Sequence, residues 1–212
     1  MTAKLDSILF DFGGVFIDWQ PRDAFKGSQY SEQEVDDFFT KSPFWECNDR
    51  NDLGIPLANT LDYFERYSPE WIEMIRYFYE MEITTLDSNE VPETREFVIA
   101  LKKAGLRAYG LSNWNSERFF IAKGIARAIQ ELDAYVLSAD IGIVKPDLRL
   151  FRHAIDRFNL NPPERTLFVD DNAANCAASE RTGLKSFKFE LRGENNLAKL
   201  KEVLKDEYGV HV

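Results

Sequence analysis

ILFDFGGVFIDW, residues 8–19, sets a strand-length apolar run against an aspartate and two glycines. Ser7–Phe10 suits a short buried strand, and Asp11 stands where that strand should end, followed by Gly13, Gly14 and a second apolar run. Four later segments repeat the short apolar pattern with turn residues behind it: 107–111, 135–137, 166–169 and 185–189. Between them, 91–103, 116–130, 147–158, 173–182 and 197–206 carry helical periodicity, with Gly105 and Gly183 placed as helix stops. Alternating strand and helix predicts an α/β fold: a parallel sheet covered on both faces.

From about Trp19 to Leu86 the alternation stops. The segments EQEVDDFFTK, ANTLDYFERY and PEWIEMIRYFYEME are rich in aromatics and helix-forming acids, which predicts a helical insertion after the first strand. Phe38, Phe39, Tyr63, Phe64, Phe78 and Tyr79 are expected to form its core. The division is then a core of residues 1–17 and 87–212 and a helical cap of residues 18–86.

The chain carries 26 basic and 36 acidic residues, net −10, with the basic residues scattered, which disfavours nucleic acid as a partner. No apolar run reaches the roughly 18 residues of a membrane span, and no basic-then-apolar leader opens the chain, so a cytoplasmic protein without a membrane partner is expected. Cys47 and Cys176 lack CxxC spacing and read as buried small hydrophobes. The acidic balance leaves an anionic substrate open, because a metal ion and one lysine reverse the field inside a cleft.

In a doubly wound sheet, ligands bind beyond the carboxyl ends of the strands. Four places there hold polar groups: Asp11, then Ser112-Asn113 after RAYGL, Lys145-Pro146 in DIGIVKPD, and Asp170-Asp171 after TLFV. Singly, each has an ordinary explanation as a cap, a turn or a surface charge. In this order they resemble the four motifs of the haloacid dehalogenase (HAD) superfamily, from Ile8 to about Gly183. The string VDDNAANCAAS and the FDxG opening are similar to a phosphatase branch typified by alpha-D-glucose-1-phosphatase.

That resemblance implies a Rossmann-like core with an inserted helical cap and a phosphatase of small phosphorylated metabolites, sugar phosphates above all, working as monomer or homodimer. It implies Asp11 as nucleophile, Lys145 as the second catalytic residue, and Ser112 and Asn113 as phosphoryl-binding groups. It also implies Mg2+ on Asp11, the Gly13 carbonyl and Asp171, with Asp170 joining directly or through water. The physical reading is compatible: a carboxylate attacks without an activating base, and three converging acids repel one another and a phosphate unless a hard cation lies among them. Asn175 reads either as an orienter of the acids or as a helix-surface residue.

Most phosphatases of the superfamily carry an acid two residues after the nucleophile; here that position is Gly13. General acid–base help contributes about 10²–10⁴ in rate, so its loss predicts better turnover of low-pKa leaving groups, glucose-1-phosphate over glucose-6-phosphate. Asp18 and Asp23 are candidate replacements. Trp19, Arg22, Trp45, Arg50 and Asn51 are candidate substrate contacts from the cap, since an aromatic covers a sugar face and an arginine holds a phosphate. His153 and His211 read as surface or packing residues.

Three other functions compete. A 2-haloacid dehalogenase shares the fold, but has no use for Asp170-Asp171 in a metal-free site. A non-catalytic phosphate-binding regulatory relative is kept open by Gly13. A dinucleotide-binding dehydrogenase fails on detail, because DFGGVF is not GxGxxG and puts a negative charge where phosphate needs amides.

Overall fold

The computed structural model describes residues 4–86, 90–194 and 196–212, and contains a five-stranded, all-parallel sheet in the order β3-β2-β1-β4-β5. The strands are β1 (Ser7–Phe10), β2 (Arg107–Ser112), β3 (Ala134–Leu137), β4 (Thr166–Asp170) and β5 (Lys185–Lys188). Side chains alternate across the sheet, as strand geometry requires. Ile8, Phe10, Leu167 and Val169 enter one core with α5 (Thr94–Lys103), α6 (Ser116–Ile125), α7 (Arg127–Gln130) and α11 (Leu197–Tyr208). Leu9, Tyr109 and Phe168 enter the other with α9 (Leu148–Phe158) and α10 (Ala173–Glu180). Residues near-fully apolar on both faces are the signature of a parallel sheet covered by helices. Gly105 (φ +89°) and Gly183 (φ +94°) adopt the left-handed backbone that ends α5 and lies just past α10.

One predicted helix, 116–130, is two. Buried Ala126 leaves helical geometry with ψ 89°, and Arg127 restarts α7 with its N–H donated to the Glu90 carboxylate. The short α8 (Ser138–Ile141), which the sequence reading did not predict, follows β3.

Between β1 and α5 come α1 (Glu32–Lys41), α2 (Phe44–Asp52), α3 (Leu57–Tyr67) and α4 (Ile72–Leu86). They surround a core of their own in which Phe38, Phe44, Phe64 and Phe78 are at most 1% exposed. Phe39 and Tyr63 pack on it from the rim. The boundary expected between residues 86 and 87 adjoins residues 87–89, which lie outside the described residues.

The chain after β1 is held tightly. The Phe12 carbonyl accepts from the N–H groups of Val15, Phe16 and Ile17, and the Phe12 ring stacks on Phe119 at 5.4 Å. Gly110 on β2 leaves the space that ring fills; a Cβ there would collide with Phe12 and touch Tyr135. Overpacking of this kind costs about 1–3 kcal/mol. Gly110→Ala is therefore expected to lower the unfolding midpoint by several degrees, at about 2–4 °C per kcal/mol. It should also lower turnover, because Phe12 adjoins Asp11; calorimetry and a steady-state assay of the same sample check both.

Candidate active site

Asp11, at the carboxyl end of the central strand, is 8% exposed and fully engaged. Its Oδ1 accepts from the Phe12 N–H at 2.7 Å and from the Ser112 hydroxyl at 2.7 Å, while Oδ2 faces Lys145 Nζ at 2.8 Å. Ser112 ends β2, the neighbour of β1, so parallel pairing brings the two side by side. Burial pushes the Asp11 carboxyl up to about 7; Lys145 opposes the shift and Asp170 adds to it.

Lys145 is buried between two acids, 2.8 Å from Asp11 and 2.7 Å from Asp170. Burial alone would lower its pKa, but Asp11 and Asp170 raise it above the usual lysine value, so it stays charged. The Lys145–Pro146 peptide is cis. Asn113 is tied to the lysine's backbone. Its Oδ1 accepts the Lys145 N–H at 2.8 Å and its Nδ2 donates to the Lys145 carbonyl at 3.1 Å. Both ends of the amide thus bond the Lys145 backbone, while Asn113 also lines the cavity above Asp11.

The two acids after β4 differ. Asp170 is fully buried and accepts from Lys145, the Asn172 N–H at 2.8 Å and Asn175 Nδ2 at 3.0 and 3.1 Å. Asn175 is 7% exposed, so of its two readings the orienter of Asp170 is the one observed. Asp171 reaches the cavity and lies against Gly14, whose φ of +70° brings the backbone so close that any Cβ would collide with the Asp171 carboxyl. Carboxylate oxygens of Asp11, Asp170 and Asp171 all lie within 4.8 Å of one another. Burial, then Asp170, raises the Asp171 pKa. Three hard oxygen donors crowded to this degree, with Lys145 as the neighbouring cation, fit a small hard divalent ion such as Mg2+.

The sequence profile of the haloacid dehalogenase-like hydrolases matches residues 5–183. The chain belongs to this family. Among curated relatives, drimenol cyclase of Aspergillus calidoustus is 28% identical over 193 residues, covering 89% of this chain and 34% of the relative. (S)-2-haloacid dehalogenase 4A of Burkholderia cepacia is 32% identical over 102 residues, 48% of this chain and 44% of the relative. D-ribitol-5-phosphate phosphatase of Bacteroides thetaiotaomicron is 25% identical over 207 residues, 88% of this chain and 92% of the relative. The chain thus spans less than half the length of the first two relatives and nearly all of the third. The crystal structure of the HAD family enzyme bt-2542 from Bacteroides thetaiotaomicron superposes with a TM-score of 0.70 at 18% identity, covering 93% of this chain and 98% of that one. The same enzyme in complex with magnesium and inorganic phosphate gives 0.66.

In this HAD-like hydrolase a cavity of about 520 Å³ opens above Asp11. Core groups on its wall include Ser112, Asn113, Lys145, Asp171 and Asn175; the inserted helices contribute Asn48, Asp52, Tyr79 and Glu82, and the connecting segment Asp18, Trp19 and Gln20. Trp19 is there as expected, its Nε1 donating to Glu82 at 3.3 Å. Arg22 and Trp45 are not among the lining residues. Arg22 pairs with Asp36 and lies over the Phe39 ring, and Trp45, 46% exposed, donates to the Phe39 carbonyl and packs on Trp19 from behind. Arg50 stacks on Tyr63, and buried Asn51 donates to the Tyr79 hydroxyl, so neither lines the cavity. All four are engaged by partners within the insertion. Asp18 lines the cavity but is bound by Arg192 and Gln20, and Asp23 pairs with Lys26. His153 and His211 do not line it. Among the described residues no helix is long and apolar enough to cross a membrane.

Proposed function

We propose that the protein is a Mg2+-dependent phosphatase that hydrolyses a small phosphorylated metabolite, a sugar phosphate, through an aspartyl phosphate on Asp11. Residues 18–86 act as the cap that admits the substrate and excludes water, over a core of residues 1–17 and 87–212. The observation that carries this reading is the setting of Asp11. One carboxylate oxygen is pinned by a backbone N–H and a serine, the other by a buried lysine, and two further acids stand within 4.8 Å.

Asp11, Asp171 and the Gly13 carbonyl would hold the magnesium ion, with Asp170 directly or through water. When bound, the ion supplies the positive charge that keeps these acids ionised and offsets the phosphate dianion. The chain's own residues do the rest. Ser112 and Lys145 offer donors where the transferring phosphoryl group meets Asp11, and Asn113 and Asp170 hold Lys145 in place from both ends. Preorganised donors of this kind keep their orientation as charge develops, which is where electrostatic catalysis gains most.

The dehalogenase reading has a relative behind it, but an enzyme that attacks carbon without a metal gains nothing from Asp170 and Asp171 crowded on its nucleophile. Hydrolysis of p-nitrophenyl phosphate is expected to stop in EDTA and to return with excess Mg2+. Halide released from a 2-haloacid, unaffected by chelation, would overturn the phosphatase reading. A regulatory phosphate binder would give neither activity and no labelled Asp11 in a rapid-quench experiment.

A further inference from the structure

We propose that Asp52, at the end of α2 in the cap, is the general acid and base of the reaction, replacing from above the acid that position 13 lacks. The assignment rests on the phosphatase reading and deepens it.

Position 13 is empty of side chain and open: a Cβ built on Gly13 meets nothing within 4 Å. Asp52 lines the same cavity as Asp11, Ser112 and Lys145. Although it belongs to the inserted helices, its backbone is fastened to the core. The Asp52 carbonyl accepts the Ser138 hydroxyl at 2.6 Å, that hydroxyl accepts the Trp114 N–H at 3.1 Å, and Gly54 (φ +86°) sits directly on the Ala139 carbonyl. The end of α2 that carries Asp52 is thus fastened to the core that carries Asp11.

Its surroundings also differ from those of the other acids that the cap and its connecting segment place on the wall. Asp18 is bound by Arg192, and Glu82 by Arg118 at 2.9 Å and by Trp19. Asp52 meets one neutral donor, Asn48 Nδ2 at 3.1 Å, and no ion pair to it occurs among the described residues. The charges that act on it are Asp49 on its own helix, Glu82 on α4, Asp11 after β1 and Lys145; Asp140 on α8 is taken up by the Ser116 hydroxyl. Burial first, then the three acids, push the Asp52 carboxyl up to about 7, against Lys145. Both protonation states are therefore populated near neutral pH, which general acid–base catalysis needs.

In the first step an Asp11 oxygen bonds to phosphorus, the phosphorus–oxygen bond to the leaving group breaks, and its electron pair takes the proton of the Asp52 carboxyl. The alcohol departs and Asp52 is left as carboxylate. In the second, Asp52 takes a proton from water as the water oxygen bonds to phosphorus and the bond to Asp11 breaks, returning Asp11 as carboxylate and Asp52 as acid. The sum is phosphate ester plus water to alcohol plus inorganic phosphate. With this acid present the wild type is not confined to low-pKa leaving groups, contrary to what Gly13 alone predicts.

The test compares wild type and Asp52→Asn on glucose-6-phosphate, whose alkoxide needs a proton, and on acetyl phosphate, whose carboxylate does not. Asp52→Asn is expected to lose on the order of 10²–10⁴ in kcat/KM on glucose-6-phosphate. It should still form the Asp11 phosphoenzyme from acetyl phosphate at near the wild-type rate and accumulate it, because the water-activating base is gone. The wild-type decline in kcat/KM above pH about 7 on glucose-6-phosphate should vanish in the variant.

The variant should fold. An acid with a raised folded pKa binds more protons folded than unfolded, so its contribution to stability falls as pH rises from the unfolded value of 3.8 towards about 7. Asp52→Asn is thus expected to melt above wild type at pH 8; Asp52→Ser, which also lacks the proton, must show the same substrate split. Unchanged activity of both variants on glucose-6-phosphate, with the alkaline limb intact, would overturn the role of Asp52 and leave the phosphatase reading standing. A wild type that forms no phosphoenzyme and turns over neither compound overturns both.

Discussion

Asp11→Asn is expected to abolish turnover, on the order of 10⁴-fold or more, while leaving the protein folded. An amide oxygen in place of Oδ1 still accepts from the Phe12 N–H and the Ser112 hydroxyl, and the amide nitrogen falls opposite Lys145, which keeps its bond to Asp170. What disappears is the proposed nucleophile and one of three crowded acids. Because burial already pushes the Asp11 carboxyl up to about 7, loss of its charge relieves as much as it removes, and the unfolding midpoint should hold or rise. The decisive measurement is rapid-quench labelling: wild type carries an acid-stable, base-labile phosphoryl group, and the variant none. A variant that kept more than about a hundredth of wild-type turnover would exclude Asp11 as nucleophile.

Lys145→Met has the opposite signature, with both activity and stability lost. The lysine is the shared cation of two acids, at 2.8 and 2.7 Å, with its side chain 1% exposed. Removing one partner of a buried ion pair leaves an unpaired charge and costs about 3–5 kcal/mol. For a chain of this size that is a fall in the midpoint on the order of 10 °C. Loss of a preorganised donor to the transferring group should lower kcat by about 10²–10³. The two readouts separate by pH. If the instability comes from unpaired carboxylates, acidification that protonates Asp11 should narrow the gap to wild type; an equal gap at pH 5 and 8 would contradict the ion-pair account.

The comparison of Asp170 with Asp171 shows how far residue order reaches. Adjacent in sequence and alike in type, both were readable as acids at a strand end, because β4 is a short apolar run that could only stop there. That one serves Lys145 and Asn175 while the other rests on Gly14 follows from strand alternation and a close backbone approach, neither visible in the string. Asn113 is a second case. Its position beside Ser112 is in the sequence; that both ends of its amide are consumed by the Lys145 backbone depends on a loop 32 residues away. Arg22 and Trp45 had the right chemistry for a substrate and were drawn instead to Asp36, Phe39 and the aromatic core of the insertion.

The order of short apolar runs and periodic helices determined the parallel sheet by itself, since each run could be buried on two faces only between helices. The same order determined the candidate set, because Asp11 and Asp171 follow a strand, Ser112 and Asp170 end one, Lys145 lies in the loop after β3 and α8, and the ends of parallel strands meet. The resemblance to the superfamily also marked Gly13 as standing where an acid is usual. Only the tertiary structure decided which other acids line the same cavity. Asp52 lies in a helix with no local sign of chemistry, and it reaches the cavity because Ser138 and Ala139 fasten the end of α2 to the core. Long-range docking of this kind is fixed by which surfaces fit, and no spacing along the chain records it.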